Sequence, residues 1–397
     1  MKRASPATNK AKSSQPPRVA VLVDTATTWG RQIHRGIHRY DLKHGPWHIF
    51  LEARGAEERL RVPTGWKADG VIARIGRLEM AEELKALNIP VVNVSGIQLP
   101  GVDFPTVTTD LEVAARMAAQ HFLERGFRHF AYFSLTGLAY VATHQEGFIQ
   151  AVREAGCDFA SFKAKPVSGA EPDWNLDLVA LGSWLRSLPK PVALLTWNAS
   201  SAREVTYACD LAKILIPEEV AVLSHSDDEL LCDVLFIPVS GLQAPSEQIG
   251  HEAARLLDEL MLGHPAPTAA IKLKPLSIVT RRSTDTLAIQ DRALARALSF
   301  IRENAAQRIE VTGVSRHTGV SRRALEQRFM QVLRRTPASE IRRVHLERTK
   351  RLLEETYLPI PDVAESAGYG SPEYMAGIFR TELGTTPLKY RKDIRGL

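Results

Sequence analysis

The sequence repeats one pattern near its C-terminus, first in Ser321-Arg-Arg-Ala-Leu-Glu-Gln-Arg-Phe329 and again in Ser371-Pro-Glu-Tyr-Met-Ala-Gly-Ile-Phe379. The serine and the phenylalanine recur at one offset of 50 residues, and Leu333 and Leu383 recur with them. Serine is a preferred helix N-cap, and the apolar side chains that follow it have helical spacing. The repeat therefore predicts two helices of the same kind, each beginning after its serine.

A short helix precedes each capped helix, and a glycine separates the two. We expect these short helices over Val311–Thr318 and Asp362–Ala367, with turns at Gly319 and Gly368. Glycine adopts the left-handed backbone that closes a sharp helix–helix turn without steric cost. The spacing predicts two helix-turn-helix motifs in tandem, joined by a helix over Ser339–Glu355 that is capped by its first serine.

The capped helices carry both a core face and a polar outer face. On the first helix, Leu325, Phe329 and Val332 are expected in the core. Groups that face outward from such helices bond phosphates and base edges in a major groove. The predicted DNA-binding residues are Arg322, Arg323, Glu326, Gln327, Pro372, Glu373, Ala376 and Arg380.

Positive charge is concentrated in the same region. Residues 290–397 hold 20 Lys and Arg against 13 Asp and Glu, a net charge of +7, whereas residues 1–289 hold 31 against 32, a net of −1. Most of the C-terminal cations are arginines, whose planar guanidinium bonds two phosphate oxygens at once. A basic helical region with two such motifs is typical of a reader of double-stranded DNA.

Residues 18–284 alternate between short apolar runs and longer amphipathic stretches. The predicted strands are Val19–Val23, Trp47–Leu51, Gly70–Ala73, Pro90–Val94, Phe130–Phe133, Val192–Leu195 and Val220–Leu223. The predicted helices include Leu111–Glu124, Gln145–Ala155, Ser201–Leu215 and Pro245–Leu262. Apolar strands joined by helices indicate parallel α/β sheets, and the length of the region favours two α/β lobes separated by a cleft.

The sequence thus divides into four parts. We expect a disordered tail over residues 1–17, which are rich in Lys, Ser and Pro, and a two-lobed α/β effector-binding domain over residues 18–284. A linker over residues 285–290 and an all-α DNA-binding domain over residues 291–397 follow.

Several classes of function are disfavoured by the composition. Cys157, Cys209 and Cys232 show no disulfide or metal spacing, which indicates reduced thiols in a cytoplasmic protein. No apolar run is long enough to cross a membrane, and no phosphate-binding glycine loop follows the first strand. The histidines between residues 34 and 48 fit no standard ligand set, and no catalytic set is evident. We therefore expect no enzyme activity, no cofactor and no metal.

Polar and aromatic side chains follow the predicted strands at their carboxyl ends, where open α/β sheets bind ligands. Aromatic rings stack on the C–H faces of sugars, and carboxylates, amides and guanidinium groups bond sugar hydroxyls. The predicted ligand-binding residues are Trp29, Arg31, Glu52, Arg54, Asn198, Asp227 and Asp228.

The C-terminal region resembles an AraC-type DNA-binding domain over residues 291–395. The two repeated segments carry the resemblance, together with Gly384-Thr-Thr-Pro-Leu-Lys-Tyr-Arg391. It implies that Arg323, Glu326 and Gln327 read bases in the first motif. The matching positions of the second motif are Glu373, Ala376 and Gly377. The last two offer no donor or acceptor, so the second helix is expected to contribute shape and backbone contacts.

The α/β region is similar to the sugar-binding domain of the LacI/GalR family. The segments that carry this are Thr108–Asp110, Gly126–Phe130, Glu146–Phe148, Val220–Asp228 and Arg281–Thr284. The resemblance implies a periplasmic-binding-protein fold with sugar in the cleft, and Asp227 as a hydroxyl-binding carboxylate. A LacI/GalR-like domain followed by an AraC-type domain is the arrangement of the xylose operon regulator family, which the sequence resembles. The segments Trp47–Glu52, Asp69–Ala73 and Arg281–Asp285 also resemble segments of that family.

These observations together indicate a sequence-specific regulator of a sugar-utilisation operon, an activator that responds to xylose. The expected partners are operator DNA, D-xylose, a second copy of the chain in a homodimer, and RNA polymerase. Two alternatives stay open: another pentose or hexose as effector, and a sugar-modifying α/β enzyme domain fused to a DNA reader. A transport-type binding protein fits less well, because no signal sequence precedes the first strand and the C-terminal region is basic.

Overall fold

The computed structural model describes residues 15–53, 60–63, 65–97, 99–135, 139–164, 177–286, 288 and 291–395. The strands in this part are β1 (Arg18–Leu22), β2 (His48–Leu51), β3 (Gly70–Ala73), β4 (Val91–Asn93), β5 (Val107–Thr109), β6 (His129–Leu135), β7 (Asp158–Ala164), β8 (Val192–Thr196), β9 (Val220–Ser224), β10 (Ser240–Gln243), β11 (Ile271–Leu273) and β12 (Ser277–Val279).

The helices of the α/β region are α1 (Thr28–His44), α2 (Leu78–Ala86), α3 (Leu111–Leu123), α4 (Ala139–Glu154), α5 (Leu178–Ser187), α6 (Ala199–Ala212), α7 (Glu229–Val234) and α8 (Ser246–Met261). Those of the C-terminal region are α9 (Arg292–Glu303), α10 (Val311–Thr318), α11 (Arg322–Leu333), α12 (Pro337–Glu355), α13 (Ile360–Ser366), α14 (Pro372–Leu383) and α15 (Pro387–Arg395).

The strands form two main sheets, which define two lobes. Lobe 1 contains a parallel four-stranded sheet in the order β2-β1-β3-β4, with α1 packed on α8. Lobe 2 contains a six-stranded sheet in the order β12-β10-β9-β8-β6-β7, in which only β12 is antiparallel to its neighbour. The short strands β5 and β11 pair beside lobe 1. The chain therefore crosses between the lobes after β5, after β10 and after β11.

The central strands of both sheets are buried along their length, as their apolar sequences predict. β3, β8 and β9 have no exposed residue, because helices cover both faces of each sheet. In lobe 2, α5 and α6 cover one face and α3 and α4 the other. The expected two-lobed α/β fold class is confirmed.

The described residues of the C-terminal region form seven helices joined by short turns and loops, with two small cores. The first joins α9, α10, α11 and α12 around Phe329, and the second joins α12 to α15 around Phe379. Gly319 ends α10 at φ +71°, and Gly368 follows α13 at φ +76°. A Cβ at residue 368 would lie 2.5 Å from the Gln307 carbonyl oxygen, so only glycine fits that turn.

Two details of the C-terminal prediction are wrong. Thr336, not Ser339, caps the connecting helix, because Pro337 occupies the first helical position and Thr336 Oγ1 accepts from the Ser339 amide at 3.1 Å. Val332 is 39% exposed, and Leu333 packs into the first core instead. Leu333 lies four and eight residues after Phe329 and Leu325, on the same face of the helix.

None of the helices in the described residues is long and apolar enough to span a bilayer.

Candidate effector cavity and DNA-binding surface

A cavity of about 240 Å³ lies between the two lobes, where strand ends of both sheets meet. Lobe 1 contributes the first turns of α1, and lobe 2 contributes the loop after β9 and the segment after β12. The described residues that line it are Thr28, Trp29, Gln32, Ser226, Asp227, Glu229, Asp233, Gln243, Ala244, Ser246, Val279 and Arg281. A larger, more open groove of about 910 Å³ runs between α3 and α4, away from these strand ends.

The lobe 2 wall of the cavity centres on an arginine held by two carboxylates. Arg281 Nη1 donates to Asp227 Oδ1 at 2.6 Å, and Arg281 Nε donates to Asp233 Oδ1. The Arg281 and Asp227 side chains are only 10% and 9% exposed. Desolvation would lower the pKa of Arg281, but the two carboxylates outweigh it and the pKa is raised. This wall therefore carries fixed, opposite charges with one surplus negative charge.

The lobe 1 side has a matching pair after β1 and β3. Asp24, which is buried, accepts from the amide and hydroxyl of Thr27 at 3.1 and 2.7 Å, and from Arg74 Nη1 at 3.0 Å. The Arg74 guanidinium carbon lies 5.1 Å from the ring centroid of Trp29. A cation over an indole face is attracted by the ring quadrupole, so this pair fixes the orientation of Trp29 at the cavity.

A hydrogen bond between Thr28 and Asp228 connects the lobes beside the cavity. The Thr28 amide, in the first turn of α1, donates to Asp228 Oδ2 at 3.0 Å. The other carboxylate oxygen of Asp228 caps α7 by accepting from the Leu231 amide. A single side chain thus binds two helix N-termini, one in each lobe, where the helix dipoles favour negative charge.

Behind the strand ends of lobe 2 lies a buried cluster of aromatic and imidazole rings. Trp197 and His225 follow β8 and β9 and stack with centroids 5.0 Å apart, and His144 lies 3.8 Å from His225. Tyr132 Oη is 3.0 Å from His144 Nδ1. Burial lowers the pKa of His225 to about 4 and that of His144 well below its usual value. Both rings are therefore neutral at pH 7.

The structure brings some predicted ligand-binding residues to the cavity and leaves others elsewhere. Trp29 and Asp227 line it, and Asp228 lies beside it at the interlobe bond. Arg31 instead donates to the backbone oxygens of Thr25 and Ala26. Asn198 caps α6, its side-chain oxygen accepting from the Ser201 amide at 2.8 Å.

The two remaining predicted residues follow β2. Glu52 is half-buried and is not among the residues that line the cavity. Arg54 lies outside the described residues.

Sequence reasoning missed Arg74, Arg281 and the imidazole pair. Arg74 and His225 directly follow β3 and β9, so the strand-end rule applied to Trp29 and Asp227 covers them as well. Arg281 follows the antiparallel strand β12, whose three residues gave no strand signal. His144 comes from a helix and reaches the cluster only through the fold.

The first helix-turn-helix motif presents its predicted polar residues on the surface. Arg322, Arg323 and Gln327 are exposed on α11, and Glu326 is half-buried. Arg322 Nε donates to Glu326 Oε1 at 2.9 Å, one turn along the helix. Two of the four groups thus satisfy each other, which leaves Arg323 and Gln327 as the most available side chains for a base edge.

The second motif presents a different surface on α14. Glu373, Gly377 and Arg380 are exposed, and Pro372 and Ala376 are half-buried. α12, a helix of 19 residues between the motifs, spans about 28 Å at 1.5 Å per residue. Packing of α11 and α14 against this one helix fixes the two outer faces relative to each other.

Three protein-family models match successive parts of the chain. Residues 18–111 match the XylR N-terminal domain family, residues 119–284 a periplasmic binding protein-like domain family, and residues 314–393 a helix-turn-helix domain family. The fold and these matches define a DNA-binding transcription regulator, with a periplasmic-binding-type domain followed by an AraC-type helical domain.

The chain is also similar to full-length regulators. It is 28% identical over 381 residues to the xylose operon regulatory protein of Escherichia coli (strain K12), covering 94% of this chain and 96% of that protein. It is 29% identical over 384 residues to that of Haemophilus influenzae, covering 94% and 98%. A solved structure of the xylose-binding transcription activator XylR is 27% identical, with a TM-score of 0.81 and coverage of 95% and 98%. The chain is thus similar along nearly its whole length to xylose operon regulatory proteins, which are transcription regulators.

Proposed function

We propose that this chain activates transcription of a sugar-utilisation operon in response to D-xylose bound between its lobes. The observation that carries the proposal is the meeting of Trp29 from lobe 1 and Asp227 from lobe 2 on one cavity. An indole face and a carboxylate are the two groups that an uncharged sugar needs, one for its C–H face and one for its hydroxyls. The names of the full-length relatives support xylose as the sugar.

The charges of the cavity favour a neutral sugar over a sugar phosphate. Arg281 is already shared by Asp227 and Asp233, and Glu229 adds a further carboxylate to the lining. The surplus negative charge would repel an anionic ligand, whereas a sugar hydroxyl can donate a hydrogen bond to the carboxylate oxygens. Asp228, through its bond to the Thr28 amide, holds the lobes together at the cavity edge.

DNA recognition is assigned to the exposed faces of α11 and α14. Arg323 and Gln327 read bases in the first motif, and Arg322 and Arg380 contact phosphates. Glu326, Pro372, Glu373 and Ala376 lie on the same two faces and shape the fit of each helix to the groove. Ala376 and its neighbour Gly377 have no hydrogen-bonding side chain, which supports a role for the second motif in shape recognition.

The chain is proposed to act as a homodimer in the cytoplasm, with RNA polymerase as a further partner. An apolar surface on lobe 2 supports the dimer: α6 and α7 are in contact and expose large side chains. These are Tyr207 and Leu211 on α6 and Leu230 and Val234 on α7. Together with Phe236, two residues after α7, they are between 47% and 78% exposed. A second copy that covers them removes apolar area from water.

Isothermal titration calorimetry with D-xylose tests the effector, with L-arabinose, D-ribose and D-glucose as comparisons. We expect saturable heat with D-xylose in the wild-type chain, and its loss in Trp29→Ala and Asp227→Asn. Arg35→Ala is the matched control, because Arg35 is exposed on α1 and is not among the residues that line the cavity. That variant should bind as the wild type does.

Other outcomes change the proposal in defined ways. Heat with another of the four sugars alone would replace the effector and keep the cavity. Xylose binding that survives both cavity substitutions would contradict the site. Absence of heat with all four sugars would contradict the proposed effector class.

A further inference from the structure

The short segment Arg281–Asp285 touches both the effector cavity and the DNA-binding region. Its first side chain, Arg281, forms the lobe 2 wall of the cavity with Asp227. Its second, Arg282, points to the opposite side, where its Nη2 lies 3.9 Å from Glu303 Oε1 of α9. Two adjacent guanidinium groups therefore face the two functional parts of the chain.

The junction that Arg282 reaches is built of buried charge. Glu218, just before β9, pairs with Arg302 of α9, and the Glu218 side chain is fully buried. Arg302 also donates to the Asp285 backbone oxygen, and the Asp285 carboxylate lies 3.5 Å from Arg343 Nη1 of α12. Burial raises the pKa of Glu218, and the charges of Arg302 and Arg282 oppose that rise. These contacts dock α9 and α12 onto lobe 2.

The junction is not saturated with hydrogen bonds. Among the described residues, Glu218 Oε2 and Arg282 Nε are buried without a hydrogen-bond partner. A buried polar atom without a partner costs free energy, so a shift that pairs these atoms, or one that exposes them, changes the stability of the docked arrangement. The docking is thus sensitive to small movements of Arg282.

The backbone between the two guanidinium groups is tightly held. Ser240 Oγ accepts from the Arg281 amide at 2.8 Å, and Ser283 Oγ accepts from the Ser240 amide at 2.8 Å. Thr284 Oγ1 is 2.7 Å from Ser240 Oγ and 2.9 Å from His121 Nε2. These bonds hold residues 281 to 284 together against Ser240, so a displacement of the Arg281 backbone is passed on to Arg282.

We propose that Arg281 and Arg282 are positioning residues that couple occupancy of the cavity to the docking of the DNA-binding region on lobe 2. The inference rests on the proposed function in taking this cavity as the effector site. A sugar hydroxyl that donates to Asp227 competes with Arg281 for the same carboxylate, and the segment transmits the rearrangement to Arg282. By linkage, a change in docking alters the affinity of the cavity for its ligand by the same factor.

The first test uses the ligand-free, full-length chain and hydrogen–deuterium exchange. Arg281→Gln should speed exchange in residues 281–286 and in α9 by about fivefold or more, the lower end of typical coupling between sites. Arg74→Gln is the matched control, since it breaks the corresponding arginine–carboxylate pair in lobe 1. Its effects should stay within lobe 1. Arg281→Lys, which keeps the charge, should restore most of the α9 protection.

The second arm adds D-xylose. In the wild type, xylose should change exchange in α9. In Arg282→Gln, xylose should still bind, with an affinity shifted by the factor that linkage requires, and should leave exchange in α9 unchanged. The coupling is overturned if Arg281→Gln speeds exchange in residues 281–286 but not in α9. It is also overturned if xylose still changes exchange in α9 of the Arg282→Gln variant. Xylose could leave the wild type unchanged while Arg281→Gln still speeds exchange in α9 of the ligand-free chain. This pair of results would support the coupling and contradict only xylose as the effector.

Discussion

Glu218 of lobe 2 and Arg302 of α9 form an ion pair in which the carboxylate is fully buried and the guanidinium is 8% exposed. Removal of one partner leaves a buried charge, which costs about 3–5 kcal/mol unless the group reaches water. Here the helical region can move away, so we expect Arg302→Ala to undock it without unfolding lobe 2. Small-angle scattering should show a larger radius of gyration, and limited proteolysis should cut near residues 285–291.

A double variant provides the control for that prediction. Glu218→Leu together with Arg302→Leu removes both charges and leaves apolar side chains at the junction, so the docked form should return. An unchanged scattering curve for Arg302→Ala would show that the pair is not needed for docking.

Acid should weaken lobe 2 through histidines that are buried in the neutral form. Burial lowers the pKa of His121 to about 3 and that of His225 to about 4, whereas an unfolded histidine titrates near pH 6.5. Below that pH the unfolded chain binds protons that the folded chain does not, so stability is full above about pH 6.5 and falls towards pH 4. The loss is at most about 1.4 kcal/mol per pH unit for each histidine.

Thermal unfolding between pH 7.5 and 5 measures this loss. His121→Gln should unfold with a shallower dependence on pH, while His38→Gln, at an exposed position on α1, should keep the wild-type dependence. Equal slopes in all three proteins would contradict the assignment to buried histidines.

Gly313 and Gly319 of the first helix-turn-helix motif should respond oppositely to the same substitution. A Cβ at Gly313, inside α10, would meet no atom within 4 Å, so Gly313→Ala should stabilise the helix by about 0.5–1 kcal/mol. Gly319 has φ +71°, which strains any other residue, so Gly319→Ala should destabilise the motif. Hydrogen exchange of the α10 amides reports both effects. Slower exchange in both variants would contradict the assigned backbone geometry.

Arg323 and Arg380 should differ in how they contribute to DNA binding. With duplexes selected from a random pool by the wild type, Arg323→Ala should cost about 1–3 kcal/mol and relax the preference at one base pair. Arg380→Ala should weaken binding to all DNA sequences alike. It should also reduce the slope of log affinity against log salt concentration by about one. Arg153→Ala, on α4, is the control and should change neither. An unaltered base preference in Arg323→Ala would rule out base reading by that side chain.

Apolar strands and helices with capping or turn residues were predictable from sequence, and elements that are very short or mostly polar were not. Gly70–Ala73 and Val311–Thr318 match their predicted bounds. α1 was missed because Ile33, Ile37 and Tyr40 are the only large apolar side chains on its buried face. The other buried residues of the helix are small, and charged and polar residues lie between them. β5, β11 and β12 have three residues each, too few to show a period.

The candidate site shows the same limit for a different reason. Trp29 and Asp227 follow the strand-end rule and line the cavity. Arg31 and Asn198 follow it equally well, but their side chains bond the nearby backbone, a local competition that spacing does not reveal. The pairing of Asp227 with Arg281 joins residues 54 positions apart, and only the fold brings them together.

Among the described residues, the ion pairs that join the DNA-binding region to the rest of the chain lie on lobe 2 and on the segment that follows it: Arg302 pairs with Glu218, Arg292 with Glu219, Glu303 with Arg282 and Arg343 with Asp285. If two chains pair through α6 and α7 of the same lobe, the distance between their attachment points does not change when the cleft closes. Effector binding then alters the tilt of each DNA reader at a constant separation. Operators for this regulator should tolerate changes in base sequence more readily than the insertion of half a helical turn between their half-sites.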